Sequence, residues 1–252
     1  MKRSATLIIL TLACCQLQAQ QLFIPSGRII YEKKINLQRS FSDAGISDEA
    51  TEKLRRYNIS TWELTFSPTN AIYRSFKNDT GSDNPLMFSF PGKSGNQLFS
   101  DFSKQRRVLR KKIFNEDYIL NDTIPALTWK VMHETRNIAG YECRKAIGIV
   151  NDSIYVVAFY TDEILLQAGP EGFYGLPGMI LGLAIPRYYT TWFATKVNVY
   201  RVEAKNVLPP KEGKRIDSEK EKNKLIDLFS RFEGQRPLKR ADLLKQIYGL
   251  VL

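Results

Sequence analysis

Hydrophobic and polar residues alternate along much of the chain, which is typical of β-strands that bury one face. Trp62, Leu64 and Phe66, for example, are separated by Glu63 and Thr65. This pattern predicts strands at 29–37, 62–66, 71–76, 128–134, 141–150, 154–160 and 191–200. The segment 154–160 is apolar on both faces, which favours a central strand that is covered on two sides.

The periodicity becomes helical near the end of the chain. Ser218 and Glu221 form a capping box, and apolar residues recur at helical spacing over 225–232. A second short helix is predicted at 239–248, and an earlier one at 48–56. Strands first and helices last predict a mainly β, α+β fold: a curved or half-open antiparallel sheet with the C-terminal helices packed on it.

The first residues have the pattern of a secretory signal peptide. Lys2 and Arg3 precede an uncharged apolar stretch at 5–13, and Ala19 supplies the small residue of a cleavage site. We therefore expect a signal peptide at 1–19 and an exported mature chain. For a Gram-negative host this places the protein in the periplasm.

Membrane attachment is the less favoured alternative. The apolar run is too short to span a bilayer, and no later stretch reaches about 18 to 20 residues without a charge. The mature chain is therefore predicted to have no transmembrane span. Lipid attachment through Cys14 or Cys15 would anchor it, but the residues that precede them fit a lipoprotein signal poorly.

Composition and charge restrict the function classes. The chain is 43% hydrophobic and 12% aromatic, as in globular domains, and its formal net charge is +11. A basic surface attracts anions, but export argues against a nucleic-acid partner. Removal of the signal peptide leaves Cys143 as the only cysteine, which excludes an intramolecular disulfide and a multi-cysteine metal site. We predict no metal and no cofactor.

Six cations lie within nine residues at 104–112. Two interpretations stay open at this point. The segment is either a solvated strand at a sheet edge, where lysine and arginine discourage edge pairing, or an anion-binding patch. The first is favoured, since charged residues are common on solvated strands.

A loop at 169–180 concentrates four glycines and two prolines. Its spacing matches neither nucleotide-binding fingerprint, and Leu176-Pro177-Gly178-Met179 predicts a type II turn. Six residues of this loop are the candidate binding residues: Phe173, Tyr174, Gly175, Leu176, Pro177 and Gly178. The alternative is a structural turn whose aromatic and apolar residues enter the core.

The same loop resembles the signature of the GLPGLI family of exported Bacteroidetes-type proteins, at Gly175 to Ile180, with Met179 in place of a leucine. Four further segments resemble that family in the same order, at 27–32, 138–146, 159–164 and 194–197. The resemblance implies an exported, β-rich cell-envelope protein without established catalytic residues. The expected domains are the signal peptide at 1–19, a GLPGLI-like domain at 20–206 and a helical extension at 207–252.

Two functions from different classes remain. The first is a non-catalytic binding or accessory module of the cell envelope, whose partner is a hydrophobic ligand or an envelope protein. The second is a small envelope hydrolase or transferase that uses Cys143 and His133, because a thiol beside an imidazole is the usual arrangement of a cysteine nucleophile. The first is favoured, since a lone buried cysteine is more often a small core residue.

Overall fold

The computed structural model describes residues 25–43, 55–76, 96–113, 116–150 and 154–216, and the single positions 47, 49, 52 and 223. This part of the chain is mostly β. The strands are β1 Gly27–Asn36, β2 Tyr57–Phe66, β3 Asn70–Ser75, β4 Gln97–Asp101, β5 Arg106–Ile113, β6 Glu116–Thr123, β7 Trp129–Ile138, β8 Tyr141–Val150, β9 Ile154–Thr161, β10 Met179–Ile185, β11 Thr190–Val199 and β12 Lys214–Ile216. The alternating pattern thus forms strands close to where it predicts them; β8, for example, matches the prediction at 141–150.

All twelve strands belong to one sheet, in the order β12-β6-β5-β4-β3-β2-β1-β11-β10-β9-β8-β7. Neighbours are antiparallel except β12, which runs parallel to β6. β1 lies near the middle and pairs with both β2 and β11, so it joins two meanders. Each meander consists of strands that follow one another along the chain and pair in sequence.

The sheet is strongly curled. Residues 124–128 alone connect β6, which is next to one edge, to β7, which is the other edge. That connection spans at most about 20 Å, whereas strands ten positions apart in a flat sheet are about 48 Å apart. The two edges must therefore approach each other, and one face of the sheet becomes a concave interior.

The main hydrophobic core fills this interior. It includes Tyr31, Phe66 and Trp192 from the strands, and Phe173 and Leu176 from the loop before β10. A second, smaller cluster lies on the outer face of β3 to β6. Its members are Ile72, Phe99, Val108, Ile119 and Val207. The outer face is thus covered over β3 to β6, in addition to the core on the inner face.

The predicted α+β class, with C-terminal helices packed on the sheet, is wrong. Within the described residues the sheet carries one α-helix with defined ends, α1 at Leu37–Asp43. The segment after β11 covers part of the outer face with a 3-10 turn at Ala204–Asn206 and extended chain, and no α-helix is assigned to its described residues 200–216. The helices predicted at 218–232 and 239–248 lie outside the described residues, apart from Asn223. Most of the helix predicted at 48–56 also lies outside them.

The error has a physical source. Pro209 and Pro210 lack a backbone N–H and interrupt the strand pattern, so the sequence predicts that the sheet ends here and a helical segment follows. The chain instead returns to the sheet. Gly213 has φ +139°, and its backbone passes so close to Asp117 that an added Cβ would lie 2.8 Å from that carbonyl oxygen. This close approach allows β12 to pair with β6.

No helix in the described part of the chain is both long and apolar enough to cross a bilayer.

Candidate functional site

The loop that joins β9 to β10 enters the concave interior. Its Ile164 carbonyl accepts a hydrogen bond from Met179 N–H at 3.0 Å, and its Ala168 carbonyl accepts one from Ile180 N–H at 2.8 Å. These bonds tie the loop to the start of β10. A 3-10 turn at Pro170–Gly172 then contacts β3 and β4, which are several strands away in the sheet. The loop therefore crosses the interior.

The six candidate binding residues of this loop have different environments. Phe173 and Leu176 are fully buried in the core, and Gly178 is buried against the Thr161 carbonyl. Gly175 and Pro177 are exposed, and Tyr174 is half-buried. Phe173 and Leu176 thus have the structural role that the sequence left open, while Tyr174 remains available at the surface.

The turn at Pro177 differs from the type II turn that the sequence predicts. Gly178 N–H bonds to the Leu176 carbonyl at 2.7 Å, which closes a three-residue γ-turn around Pro177. Met179 N–H, which would complete a type II turn, donates to Ile164 instead. Gly178 does have a positive φ, +149°, as expected. Pairing with the loop therefore decides the turn type.

Tyr174 forms one wall of an open groove at the rim of the sheet. Its ring stacks on Phe102 with centroids 5.7 Å apart, and its hydroxyl donates to Gln105 at 3.0 Å. The indole of Trp129 donates to the Tyr174 carbonyl at 2.9 Å, which fixes the backbone. These contacts hold the tyrosine in one orientation.

We call this opening the Tyr174 groove. It has a volume of about 400 Å³. Its apolar and aromatic lining residues are Pro25, Pro68, Phe102, Leu165, Leu166 and Tyr174, and two glutamines complete it. Leu165 is 57% exposed although it is aliphatic. The groove thus combines a preformed shape with an apolar surface that faces solvent.

Deeper in the interior, Glu171 forms an ion pair with a lysine of β1. Its carboxylate accepts hydrogen bonds from the Lys33 ammonium at 2.7 Å and from the Trp192 indole at 3.2 Å. The same ammonium lies 5.0 Å from the centre of the Trp192 ring and 5.5 Å from that of Trp62. Glu171 adopts a left-handed conformation, φ +56° and ψ +17°, which is uncommon outside glycine. Its ion pair and hydrogen bond help to offset the cost of that conformation.

Lys111 of β5 points into the same region. It is 6% exposed, and burial lowers the pKa of its ammonium to about 8. The positive charge of Lys33 also lowers this pKa, whereas the negative charge of Glu171 raises it. Nearby, the Tyr73 hydroxyl is buried and has no acceptor for its proton among the described residues. Burial raises the pKa of Tyr73 well above its usual value, and the negative charge of Glu171 raises it further. The Trp192 indole has a smaller, opposite effect. The hydroxyl therefore keeps its proton. We call Lys33, Lys111, Glu171 and Tyr73 the interior charge cluster.

Sequence reasoning missed this cluster, although a signal exists. Lys33 follows Ile29 and Tyr31 at the same alternate positions of β1, and Lys111 follows Leu109 in the same way in β5. A lysine at a position where the pattern places apolar residues indicates a buried ammonium. Nothing in the local sequence, however, places Glu171 beside them.

The remaining cations of 104–112 are mostly neutralised. Arg107 pairs with Asp122 at 2.9 Å and Arg110 with Asp117 at 2.7 Å, both across the β5–β6 pair. β5 lies between β4 and β6, so the interpretation as a sheet edge is wrong. These cross-strand pairs also leave little free charge for an anion-binding patch on the outer surface.

The structure does not bring Cys143 and His133 together, although they lie on paired strands. Cys143 is opposite Arg136, and His133 lies in the stretch between Val131 and Thr135 where the register shifts. His133 is exposed, whereas Cys143 is completely buried. Burial, and then the charge of Glu163, raise the pKa of the Cys143 thiol to about 12. A thiol in this state is neither ionised nor accessible at neutral pH.

A second, polar pocket of about 270 Å³ contains acidic residues. Glu142, Asp162, Glu163 and Arg144 contribute to its lining. Within the described residues, no group of three or more histidines, cysteines or acids has an arrangement that could hold a metal ion.

Comparison with protein families gives one match. Residues 147–182 match a family described as "Protein of unknown function (Porph_ging)". The matched segment contains β9, the crossing loop and the start of β10, and therefore Glu171 and Tyr174. No curated protein matches the chain.

Two crystal forms of PNGF-II, in space groups C2 and P21, are similar in structure, each with a TM-score of 0.51 and 15% sequence identity. The match covers 79% of this chain and 32% of the PNGF-II chain. An uncharacterized conserved protein from Thermus thermophilus has a TM-score of 0.41 at 7% identity, over 78% of this chain and 92% of that protein. At these identities the likeness to PNGF-II concerns the fold alone.

Proposed function

We propose that this chain is an exported, periplasmic member of the GLPGLI family that binds a hydrophobic ligand in the Tyr174 groove and performs no catalysis. The observation that carries the proposal is the groove itself. Its volume of about 400 Å³ and its apolar lining resemble those of small-molecule sites, which are preformed and mostly apolar. The aliphatic Leu165, exposed in the groove, gains from contact with such a ligand.

The position of Tyr174 supports a binding role. Its backbone is held by Trp129 and its hydroxyl by Gln105, so the ring is ordered before a ligand arrives. An ordered aromatic wall reduces the entropy that binding costs. Tyr174 also lies in the segment that matches the family, 147–182, which agrees with a role that is not peculiar to this chain.

The state of Cys143 favours binding over the alternative, a hydrolase or transferase. A nucleophilic cysteine needs an accessible thiolate and a neighbouring base. Cys143 is buried, its thiol pKa is raised to about 12, and the residue opposite it is Arg136. No step of covalent catalysis is therefore assigned to it.

Binding in the groove can be tested with an uncharged fluorescent probe, N-phenyl-1-naphthylamine. We expect saturable binding to the wild-type protein and at least tenfold weaker binding to Leu165→Asp, because a carboxylate in the groove would have to lose its hydration. Leu208→Asp is the matched control, since Leu208 is 51% exposed and is not part of the groove lining. Equal affinity of the two variants, or no saturable binding, would contradict the proposal.

Export is tested separately. N-terminal sequencing of the protein from the periplasmic fraction of its host is expected to begin at Gln20. A chain that keeps residues 1–19, or that remains in the cytoplasmic fraction, is the contrary result. A lipid-modified N-terminal cysteine at position 14 or 15 would instead establish the anchored form.

A further inference from the structure

The interior charge cluster has an excess of one positive charge. Lys33 and Lys111 are cations at neutral pH, and Glu171 supplies one anion, which pairs with Lys33 at 2.7 Å. Within the described residues, the Lys111 ammonium has no hydrogen bond or ion pair, although the lysine as a whole is only 6% exposed. An uncompensated buried charge is costly, so the cluster is complementary to one further anion.

The Tyr73 hydroxyl is a second unsatisfied group in the same region. It is buried with no acceptor for its proton among the described residues, and it keeps that proton because its pKa is raised. Tyr73 pairs with Leu98 and Leu98 with Leu109, two residues before Lys111 and on the same face of the sheet. A neutral donor and a cation therefore lie on the same face of the sheet, and neither has an acceptor among the described residues.

We propose that the interior charge cluster binds the carboxylate of an amphipathic monocarboxylic acid, which pairs with the Lys111 ammonium and accepts a hydrogen bond from the Tyr73 hydroxyl. A carboxylate carries the single charge that the cluster lacks, whereas a phosphate monoester carries about −1.5 to −2 at neutral pH. The aromatic ring of Trp62, half-buried and stacked on Tyr73 with centroids 5.1 Å apart, provides the apolar surface for the rest of the ligand.

The cluster is accessible from solvent at one end. The side chains of Lys33 and Glu171 are 18% and 17% exposed, so the charged region continues to the surface. It is also separate from the Tyr174 groove. Lys111 lies six residues along the chain from Gln105 at the groove, about 20 Å of extended strand. The two sites share no residue, so a substitution in the lining of one leaves the residues of the other unchanged.

Calorimetric titration of the full-length protein at neutral pH tests this inference. The probes are octanoate, its uncharged counterpart 1-octanol, and inorganic phosphate. We expect octanoate to bind at least tenfold more tightly than octanol, as for a charge-assisted hydrogen bond, and phosphate not to compete with octanoate. An octanoate affinity no greater than that of octanol overturns the inference.

Variants locate the site. Lys111→Met removes the ammonium, and we expect it to weaken octanoate binding at least tenfold and leave octanol binding unchanged. Lys112→Met is the matched control, because Lys112 is exposed on the same strand. Should Lys111→Met fail to fold, Tyr73→Phe decides, because it removes only the hydroxyl; we expect binding about fivefold weaker with an unchanged circular dichroism spectrum. Wild-type octanoate affinity in the folded variants overturns the inference.

These outcomes do not depend on the groove. Both sites are present if Leu165→Asp no longer binds N-phenyl-1-naphthylamine and the wild-type protein binds octanoate more tightly than Lys111→Met does. Loss of probe binding to the groove alone leaves the carboxylate site standing. Failure of octanoate to bind leaves the proposed groove function standing and removes only the carboxylate site.

Discussion

Lys111 shows how a single residue combines a stability cost with a potential function. Its ammonium is buried on the concave side, and burial shifts its pKa to about 8 from an ordinary 10.5. The neighbouring Lys33 has a direct partner in Glu171, whereas Lys111, among the described residues, has only the more distant attraction of that carboxylate. A ligand that supplies the missing anion would explain such an arrangement, because its charge would offset the free-energy cost of the buried ammonium.

The pKa of Lys111 predicts a pH-dependent stability difference. Between about pH 8 and pH 10.5 the unfolded chain binds this proton and the folded chain does not, so this group makes the folded state more stable as pH rises. At neutral pH it therefore costs roughly 3 kcal/mol. Lys111→Met is expected to be more stable than wild type at pH 7, and the difference should decrease toward pH 10, as measured by urea unfolding.

Lys112→Met serves as the control for that experiment, because its exposed ammonium carries no burial cost. We expect its difference from wild type to stay the same across the pH range. A stability difference for Lys111→Met that does not change with pH would show that the folded protein keeps this lysine charged at its ordinary pKa.

Residue types and alternation made part of this chemistry predictable. The positions of Lys33 and Lys111 on apolar faces follow from the two-residue period of a strand. Cys143 as a core residue follows from the residue type, because a lone cysteine is most often a small core residue. The proximity of Glu171 to Lys33 does not follow, because the two residues are 138 positions apart and only the tertiary structure joins them.

At the scale of elements, the loop between β9 and β10 connects the fold to both candidate sites. It places Tyr174 at the groove and Glu171 in the interior charge cluster, and it buries Phe173 between them. The glycines allow this path, since the backbone of Gly178 passes so close to Thr161 that no side chain fits. The sequence predicted a turn here but assigned the wrong type, because the partner of Met179 N–H is distant in sequence from the turn.

Gly178→Ala tests the importance of this close approach. An added Cβ would lie 2.0 Å from the Thr161 carbonyl oxygen, and φ is +149°. We expect a loss of about 3 kcal/mol in the free energy of unfolding, because backbone must move on both sides. Gly140→Ala is the matched control, since φ is +90° but nothing lies within 4 Å of the added Cβ; its cost should be about 1 kcal/mol.

Thermal and denaturant unfolding of the two variants gives the comparison. Similar losses at Gly178 and Gly140 would mean that the loop can move away from Thr161 without a cost to the core. In that case the positions of Glu171 and Tyr174 would not depend on the γ-turn.

At the scale of the whole molecule, the sheet needs a cover on its outer face. The cluster of Ile72, Phe99, Val108 and Ile119 is closed by Val207, from the segment between β11 and β12. That segment begins beside β1, where Val202 N–H donates to Ser26, and ends in β12, which forms one edge of the sheet next to β6. It therefore connects the middle of the sheet to one of its edges.

Val207→Asp tests how much this segment contributes to the stability of the fold. Val207 is 3% exposed, so a carboxylate there would be buried without a partner, and we expect a loss of about 3 kcal/mol in the free energy of unfolding. Leu208→Asp is the control, because Leu208 is 51% exposed; its effect should be within about 0.5 kcal/mol. Equal stability of the two variants, measured by urea unfolding, would show that the segment contributes little to the fold.

The sequence by itself determined seven of the described strands, β1 to β3, β7 to β9 and β11, because alternation is a local property that each strand carries in its own residues. It also identified the glycine-proline loop, through residues whose backbone preferences are intrinsic. Only the tertiary structure decided the order of the strands, the curl that brings β6 and β7 near each other, and the return of the chain after Pro210 to pair with β6. The interior charge cluster belongs to this second group, because Lys33, Lys111 and Glu171 meet only when strands and a loop from distant parts of the chain close around the same interior.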